Sequence, residues 1–381
     1  MWYFSGESWG YRGSEMTDVF EEALRLMAAG EKAALSTIVS SKGSLPMSKK
    51  AKMLVTTGGQ IIGTVGGGCL EADVWDEARD VMDSGESSLQ RFVLTEEHAG
   101  DSGLNCGGNV EVFTEPLVRE DAESLFQEIA RIRAARESAV LATRVAPGAP
   151  SASKILVRED GSTIGSLGDP DAEATIHRTL EEEGKVPEDL LEVIETGEDA
   201  AGQPQRVFVE SIVPEPTLYL FGGGHVSHAI ARIAATVGFR IVIVDDRPMF
   251  ANKDRFPMAD ETQTLDLETA FGELKIDDLS YICAVTRGHQ HDKPVVRQAV
   301  QTDAAYIGML GSRRKIAIMW KEFLAEGLSP EQLDRVHAPI GLDIGADNPE
   351  EIAVSVVSEL INIRRSGGKP SHDVKFMSGV S

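Results

Sequence analysis

Cysteine is scarce: Cys69, Cys106 and Cys283 are the only three in 381 residues. An odd, sparse set excludes a disulfide-stapled scaffold and suits a reducing compartment, so a cytoplasmic protein is expected. Basic side chains are also in short supply, with 37 Lys and Arg against 61 Asp and Glu and a formal charge of −24. Such a surface repels nucleic acid and anionic membrane; an anionic ligand needs a local cluster of Arg, Lys or backbone N–H groups. No apolar run reaches the length of a membrane span. Residues 1–15 lack the basic start and apolar stretch of a signal peptide and read as an N-terminal extension. What remains is ordinary globular composition, 42% hydrophobic and 26% charged, in a chain longer than one core usually serves.

From Met16 onward the pattern is α/β. Phe20, Ala23, Leu24 and Met27 share a helical face, and strands are predicted at 33–39, 52–56, 61–65, 90–94 and 110–114. Between the third and fourth lies Gly66-Gly67-Gly68-Cys69-Leu70-Glu71, opening a helix that runs to about Met82. The next hundred residues read as a worn copy. Ala34-Leu-Ser-Thr-Ile-Val matches Val140-Leu-Ala-Thr-Arg-Val, Lys52-Met-Leu-Val matches Lys154-Ile-Leu-Val, and Glu111-Val-Phe-Thr-Glu matches Arg206-Val-Phe-Val-Glu. Gly59 to Gly66 matches Gly161 to Gly168. The copy replaces Gly-Gly-Gly-Cys by Gly168-Asp-Pro-Asp, and Asn105-Cys-Gly-Gly by Gly202-Gln-Pro-Gln. The module thus spans 16–213 in halves of about 16–118 and 119–213, the first chemical and the second structural.

Two prolines, Pro214 and Pro216, mark a linker. Residues 214–381 then alternate strand and helix, predicting a Rossmann-like, doubly wound parallel sheet with strands at 218–221, 240–244, 281–285 and 305–309. Gly222-Gly-Gly224-His225-Val-Ser227 joins the first strand to a helix. Gly222 allows the tight turn, Gly224 lets backbone approach a phosphate, and Asp245 ends the second strand where a ribose acceptor belongs. NAD or another nucleotide is therefore a candidate ligand; so is none, because fold does not fix ligand.

Further candidates follow. His289 and His291 with Asp292 lie just past a strand end and are suited to proton transfer, or to capping their own loop; a metal site made by protein ligands alone is not expected. Arg313, Arg314 and Lys315 follow Gly308-Met-Leu-Gly311 and form an anion site or a solvated helix start. Cys69 at a helix start should favour thiolate, and Cys106 again sits beside glycines; both are candidates for sulfur handling, or are small turn residues. Cys283 lies in an apolar strand and is expected in the core.

Taken together, Gly43-Ser-x-Pro46, Gly63-Thr-Val-Gly-Gly-Gly-Cys-Leu-Glu71, Cys106-Gly-Gly, Phe221-Gly-Gly-Gly-His-Val-Ser-His-Ala229, Val244-Asp-Asp-Arg247, His289-x-His-Asp292, Gly308-x-x-Gly-Ser-Arg-Arg-Lys315 and Ala338-Pro-Ile-Gly-Leu-Asp-Ile-Gly345 resemble the XdhC/CoxI family. These are accessory proteins for molybdenum hydroxylases such as xanthine dehydrogenase. The resemblance implies transient binding of molybdenum cofactor, help with its sulfido ligand, and insertion into a xanthine dehydrogenase-type hydroxylase. A cysteine desulfurase as second partner and a homodimer are compatible with it. The contacts implied for the cofactor are the glycine loops, Gly66 to Gly68 with Glu71 and Gly222 to Ser227, together with Arg313 to Lys315. The chain lacks the cysteine-rich iron–sulfur motifs of a hydroxylase. Two alternatives stay open: an NAD(P)-dependent oxidoreductase, and a nucleotide-sensing regulatory protein.

Overall fold

Asp18 starts the first helix by accepting from Phe20 N and Glu21 N, and Gly30 in the left-handed conformation ends it. This helix, α1 (Val19–Ala29), buries Phe20, Ala23, Leu26 and Met27. Leu26 takes the fully buried place expected for Leu24, which packs at the edge of the same cluster. In this computed structural model the described residues are 18–42, 50–66, 69–93, 108–149, 153–184, 186–187, 190–198 and 204–366. Gly43 to Ser48, Gly67, Gly68 and Cys106 lie outside them. The chain divides into two units, Met1–Pro214 and Glu215–Ser381.

The first unit holds two antiparallel sheets of the same order. One is built from β1 (Ala33–Lys42), β2 (Lys52–Thr56), β3 (Ile61–Gly63), β4 (Ser88–Val93) and β5 (Asn109–Pro116), with α2 (Cys69–Ser84) between β3 and β4. The other follows α3 (Arg119–Ala135) and uses β6 (Ala139–Val145), β7 (Lys154–Arg158), β8 (Thr163–Gly165), β9 (Leu191–Glu198) and β10 (Pro204–Ile212), with α4 (Pro170–Glu183) between β8 and β9. Their orders, β3-β2-β1-β5-β4 and β8-β7-β6-β10-β9, are the same path walked twice. Glycine recurs where the path demands it. A Cβ on Gly63 would stand 2.3 Å from the Lys52 carbonyl oxygen, and one on Gly165 equally close to that of Lys154.

The two halves share one core. Phe20 of α1 meets Phe126 of α3 edge-on at 5.1 Å, over Leu35, Leu54, Leu141 and Leu156. Two reciprocal ion pairs tie the halves: Lys52 Nζ to Glu210 Oε2 at 2.7 Å, and Lys154 Nζ to Glu115 Oε1 at 2.6 Å. All four side chains are at most 8% exposed. Glu111 and Arg206, equivalent in the repeat, pair with each other at 2.7 Å. Such reciprocity marks a self-complementary, two-fold-like junction.

The second unit is a six-stranded parallel sheet ordered β13-β12-β11-β14-β15-β16. Its strands are β11 (Thr217–Phe221), β12 (Arg240–Asp245), β13 (Glu261–Thr264), β14 (Ser280–Ala284), β15 (Tyr306–Met309) and β16 (Val336–His337). Its helices are α5 (His225–Thr236), α6 (His289–Ala299), α7 (Arg313–Ala325), α8 (Pro330–Asp334) and α9 (Pro349–Ser366). Leu218 and Leu220 face α5 and α9, while Tyr219 and Phe221 face α6 and α7. Both faces are covered, which is why these strands read as continuous apolar runs. Cys283 is fully buried, and burial pushes its thiol far up. Among the described residues no helix is long and apolar enough to cross a membrane.

Candidate functional site

Two sequence-predicted sites lie in different units, and each is built locally. In the first unit, β3 ends at Gly63 and a loop leads to α2. Gly66, buried at φ +128°, donates its N–H to Thr64 Oγ1 at 3.1 Å. The Thr64 hydroxyl in turn donates to the Glu71 carboxylate. The second half repeats this clamp without a cysteine: Ser166 Oγ donates to Glu173 Oε1 at 2.8 Å, Leu167 N to the same oxygen at 2.7 Å, and Gly168 N to Ser166 Oγ at 3.0 Å. That contact accounts for Glu71 without any ligand. Cys69 is the first residue of α2.

In the second unit, β11 and β14 are neighbours at the point where the strand order reverses. Crevices at the carboxyl ends of such strands are where α/β sheets take ligands. Gly222 is required here: at φ +109°, a Cβ would stand 2.6 Å from the Val285 carbonyl oxygen. Gly223 is pressed against the Phe250 backbone, and its own carbonyl accepts from Arg255 Nε at 2.8 Å. Gly224 opens α5 with no side-chain cap and faces open space, with His225 exposed beside it. Gly288 opens α6 in the same uncapped manner. Two helix N-termini with uncapped N–H groups therefore stand at the ends of adjacent strands, an arrangement that favours anions.

Several expected roles change in detail. Ser227 is fully buried and donates to the Gly222 carbonyl, so it fastens the turn instead of meeting a ligand. Asp245 is 2% exposed. Its carboxylate accepts from Gly223 N at 2.8 Å, from Arg247 N at 3.0 Å, and from Arg247 Nε and Nη2 at 2.8 and 3.1 Å. A carboxylate has about four acceptor sites, and the protein fills them. Burial alone would raise its pKa, but the Arg247 and Gly223 donors outweigh this and hold it below the usual range. The expected ribose contact thus has no free acceptor at Asp245. Lys315 is likewise engaged, at 2.6 Å from Asp292 Oδ2 and 3.3 Å from the Leu310 carbonyl. Arg313 and Arg314 are exposed on the first turn of α7, which Ser312 caps. His289 opens α6, while its neighbour His291 accepts from Arg287 Nε at 3.0 Å.

Asp292, named from sequence beside His289 and His291, takes a structural role, and Asp246 and Arg287 were not singled out. Asp292, 1% exposed, accepts from Thr286 N at 3.0 Å and Thr286 Oγ1 at 2.6 Å, and so binds the β14–α6 loop to Lys315. Asp246 and Arg287 form a bidentate pair, Nη1 to Oδ1 at 3.1 Å and Nη2 to Oδ2 at 3.0 Å. The signal available for them was that each follows the end of a strand next to β11. The Ala338–Gly345 motif is docked by Glu359, which accepts from Gly341 N at 2.9 Å and from the Tyr306 hydroxyl.

Two family models match the chain: the XdhC Rossmann domain over residues 218–360, and the XdhC and CoxI family over residues 26–93. The chain belongs to the XdhC and CoxI family. A Bacillus subtilis (strain 168) relative, named as a probable subunit of xanthine dehydrogenase, is 29% identical over 343 residues, covering 89% of this chain and 96% of its own. The Escherichia coli (strain K12) molybdenum cofactor insertion chaperone PaoD is 24% identical over 342 residues, covering 90% of this chain and 86% of its own. The crystal structure of a Bacillus halodurans protein described as a xanthine dehydrogenase superposes with a TM-score of 0.74 at 24% identity, covering 93% of this chain and 98% of that one. At that identity the likeness speaks for the fold.

Proposed function

We propose that this XdhC and CoxI family member carries molybdenum cofactor as cargo and inserts it into a xanthine dehydrogenase-type molybdenum hydroxylase. One observation carries the reading: the crevice at the switch point is equipped for an anion but not for a ribose. Uncapped N–H groups open α5 and α6, and exposed Arg287, Arg313 and Arg314 follow β14 and β15. Asp245, which an NAD-dependent oxidoreductase or a nucleotide sensor would use, is filled by Arg247 and Gly223. Molybdopterin itself brings a phosphate monoester and no ribose. The relationship to an insertion chaperone points the same way.

Cys69 is assigned to the sulfur end of the task, as a thiolate that assists the cargo's terminal sulfido ligand, with a cysteine desulfurase as the source. Cytoplasmic residence and a homodimer belong to the same reading. The test is to purify the full chain from a molybdopterin-competent host, measure bound molybdenum and pterin, and add it to an apo-hydroxylase. Stoichiometric cofactor and restored hydroxylase activity are expected. An empty protein that binds NAD or ATP at millimolar concentration overturns the reading.

A further inference from the structure

Strands β12 and β14 flank β11 on opposite sides. They therefore lie two strand spacings apart, about 9.5 Å. Asp246 directly follows β12, and Arg287 stands three residues past β14. A direct ion pair between the two has to cross the carboxyl end of β11, above the Gly222–Gly224 turn. The pair thus straps the crevice that the two helix N-termini frame. Both groups remain reachable by solvent, Arg287 at 40% and Asp246 at 32% side-chain exposure.

We infer that Asp246 is an internal stand-in for the ligand's anion, and that Arg287 is the guanidinium that a phosphate monoester or pyrophosphate captures by displacing it. The fork of Arg287 already grips two carboxylate oxygens, and phosphate offers the same bidentate geometry with more charge. Asp246 is not stranded by the exchange, because Arg247 Nε is 3.5 Å away. His291 holds Arg287 Nε from the other side and keeps the side chain over the crevice. An exposed ion pair is weak, so the strap opens at small cost. This inference rests on the reading that the carboxyl edge of the second unit holds a phosphate-bearing ligand, and it adds a gate to that edge.

The test uses the full chain and inorganic pyrophosphate as the probe, followed by titration calorimetry at low and at physiological salt. Asp246→Asn removes the competing carboxylate and its repulsion of the probe, so affinity should rise about five- to tenfold, less so at higher salt. Arg287→Gln should lose at least about tenfold, and Arg287→Lys should fall between, since it keeps the charge without the fork. Thermal melts should be unchanged, because both side chains are partly exposed. Equal or weaker binding by Asp246→Asn, unchanged binding by Arg287→Gln, or no pyrophosphate binding by any of the proteins overturns the inference. Molybdenum content of the same variants, purified from a molybdopterin-competent host, separates the two readings. The predicted pyrophosphate pattern with invariant molybdenum supports the gate and shows that the cofactor is not held through it. Retained molybdenum with indifferent pyrophosphate binding removes the gate and leaves the carrier.

Discussion

Replacing Glu210 by Ala leaves the Lys52 ammonium with its nearest carboxylate gone. That ammonium is 7% exposed and lies 5.9 and 5.7 Å from the rings of Phe20 and Phe208. Those faces attract a cation but do not replace a hydrogen-bonded carboxylate. Breaking one side of a buried pair costs about 3–5 kcal/mol. For a unit of roughly 200 residues, each kcal/mol moves the melting point by about 2–4 °C, so a fall of about 6–20 °C is expected. Lys52→Met with Glu210→Leu removes both charges and fills the space with apolar atoms; it should recover most of that loss, because desolvation of the pair roughly cancels its attraction. The repeat supplies an internal duplicate, since Glu115→Ala should act on Lys154 in the same way. Both pairs line one small cavity, with Thr37, Thr143, Phe113 and Phe208 between them. The two losses should therefore couple instead of adding. The assay is denaturant and thermal unfolding of Glu210→Ala, Glu115→Ala, their combination, and Lys52→Met with Glu210→Leu. A Glu210→Ala cost below about 1 kcal/mol, or a double variant as damaged as the single, would refute the reasoning.

Two further predictions concern the second unit. Arg313→Gln with Arg314→Gln should weaken cofactor retention about tenfold at unchanged melting point, whereas Lys315→Gln should mainly lower the melting point because it leaves the buried Asp292 carboxylate short of a donor; the reverse assignment of effects would contradict the contacts of Lys315. Asp245 has a folded pKa held below the unfolded value, so its stabilisation is present above about pH 3.9 and is lost as pH falls through the folded value. Asp245→Asn should therefore lower stability at pH 7 and narrow the gap between pH 7 and strong acid, read from melting profiles against pH; a parallel downward shift at every pH would speak against it.

Much of the architecture was legible because the first unit repeats its strand order and the second alternates apolar strands with helices. The parallel strands β11, β12, β14 and β15 are buried on both faces and appear as runs such as Arg240-Ile-Val-Ile-Val. The edge strand β13 reads Glu-Thr-Gln-Thr and β16 is two residues long, so neither carries an apolar signal. Repeat matching located Lys52, Lys154, Glu115 and Glu210, but only as landmarks. Their partnership needs the docking of one half on the other, which no local pattern encodes. Asp245 stands at the expected position, but which way a carboxylate turns depends on donors that the chain brings back, here Arg247 and Gly223. Lys315 reads as one of three adjacent cations, yet helical geometry sends residues two apart to different faces. Arg313 stays in solvent while Lys315 reaches Asp292.

The second half of the first unit serves as a control for what Cys69 does. The offset that aligns Gly63 with Gly165 also aligns Glu71 with Glu173, and both glutamates clamp the loop before their helix. It places Asp169 opposite Gly67, and Asp169 caps α4 by accepting from Asp171 N and Ala172 N. Glycine has no side chain with which to do the same. Asp171 stands opposite Cys69, so the scaffold itself does not call for sulfur there. A helix N-terminus is a setting that favours a thiolate, although Glu71 also stands in the first turn of α2. Cys69→Ser should accordingly change stability by no more than about 0.5 kcal/mol while abolishing activation of an apo-hydroxylase by cofactor-loaded protein. Cys283→Ser should do the opposite, because a hydroxyl at a fully buried strand position without a partner costs about 1–3 kcal/mol. Melting and activation assays on the two variants read these outcomes separately. Full activation by Cys69→Ser would reduce that cysteine to a turn residue and move the sulfur chemistry to Cys106.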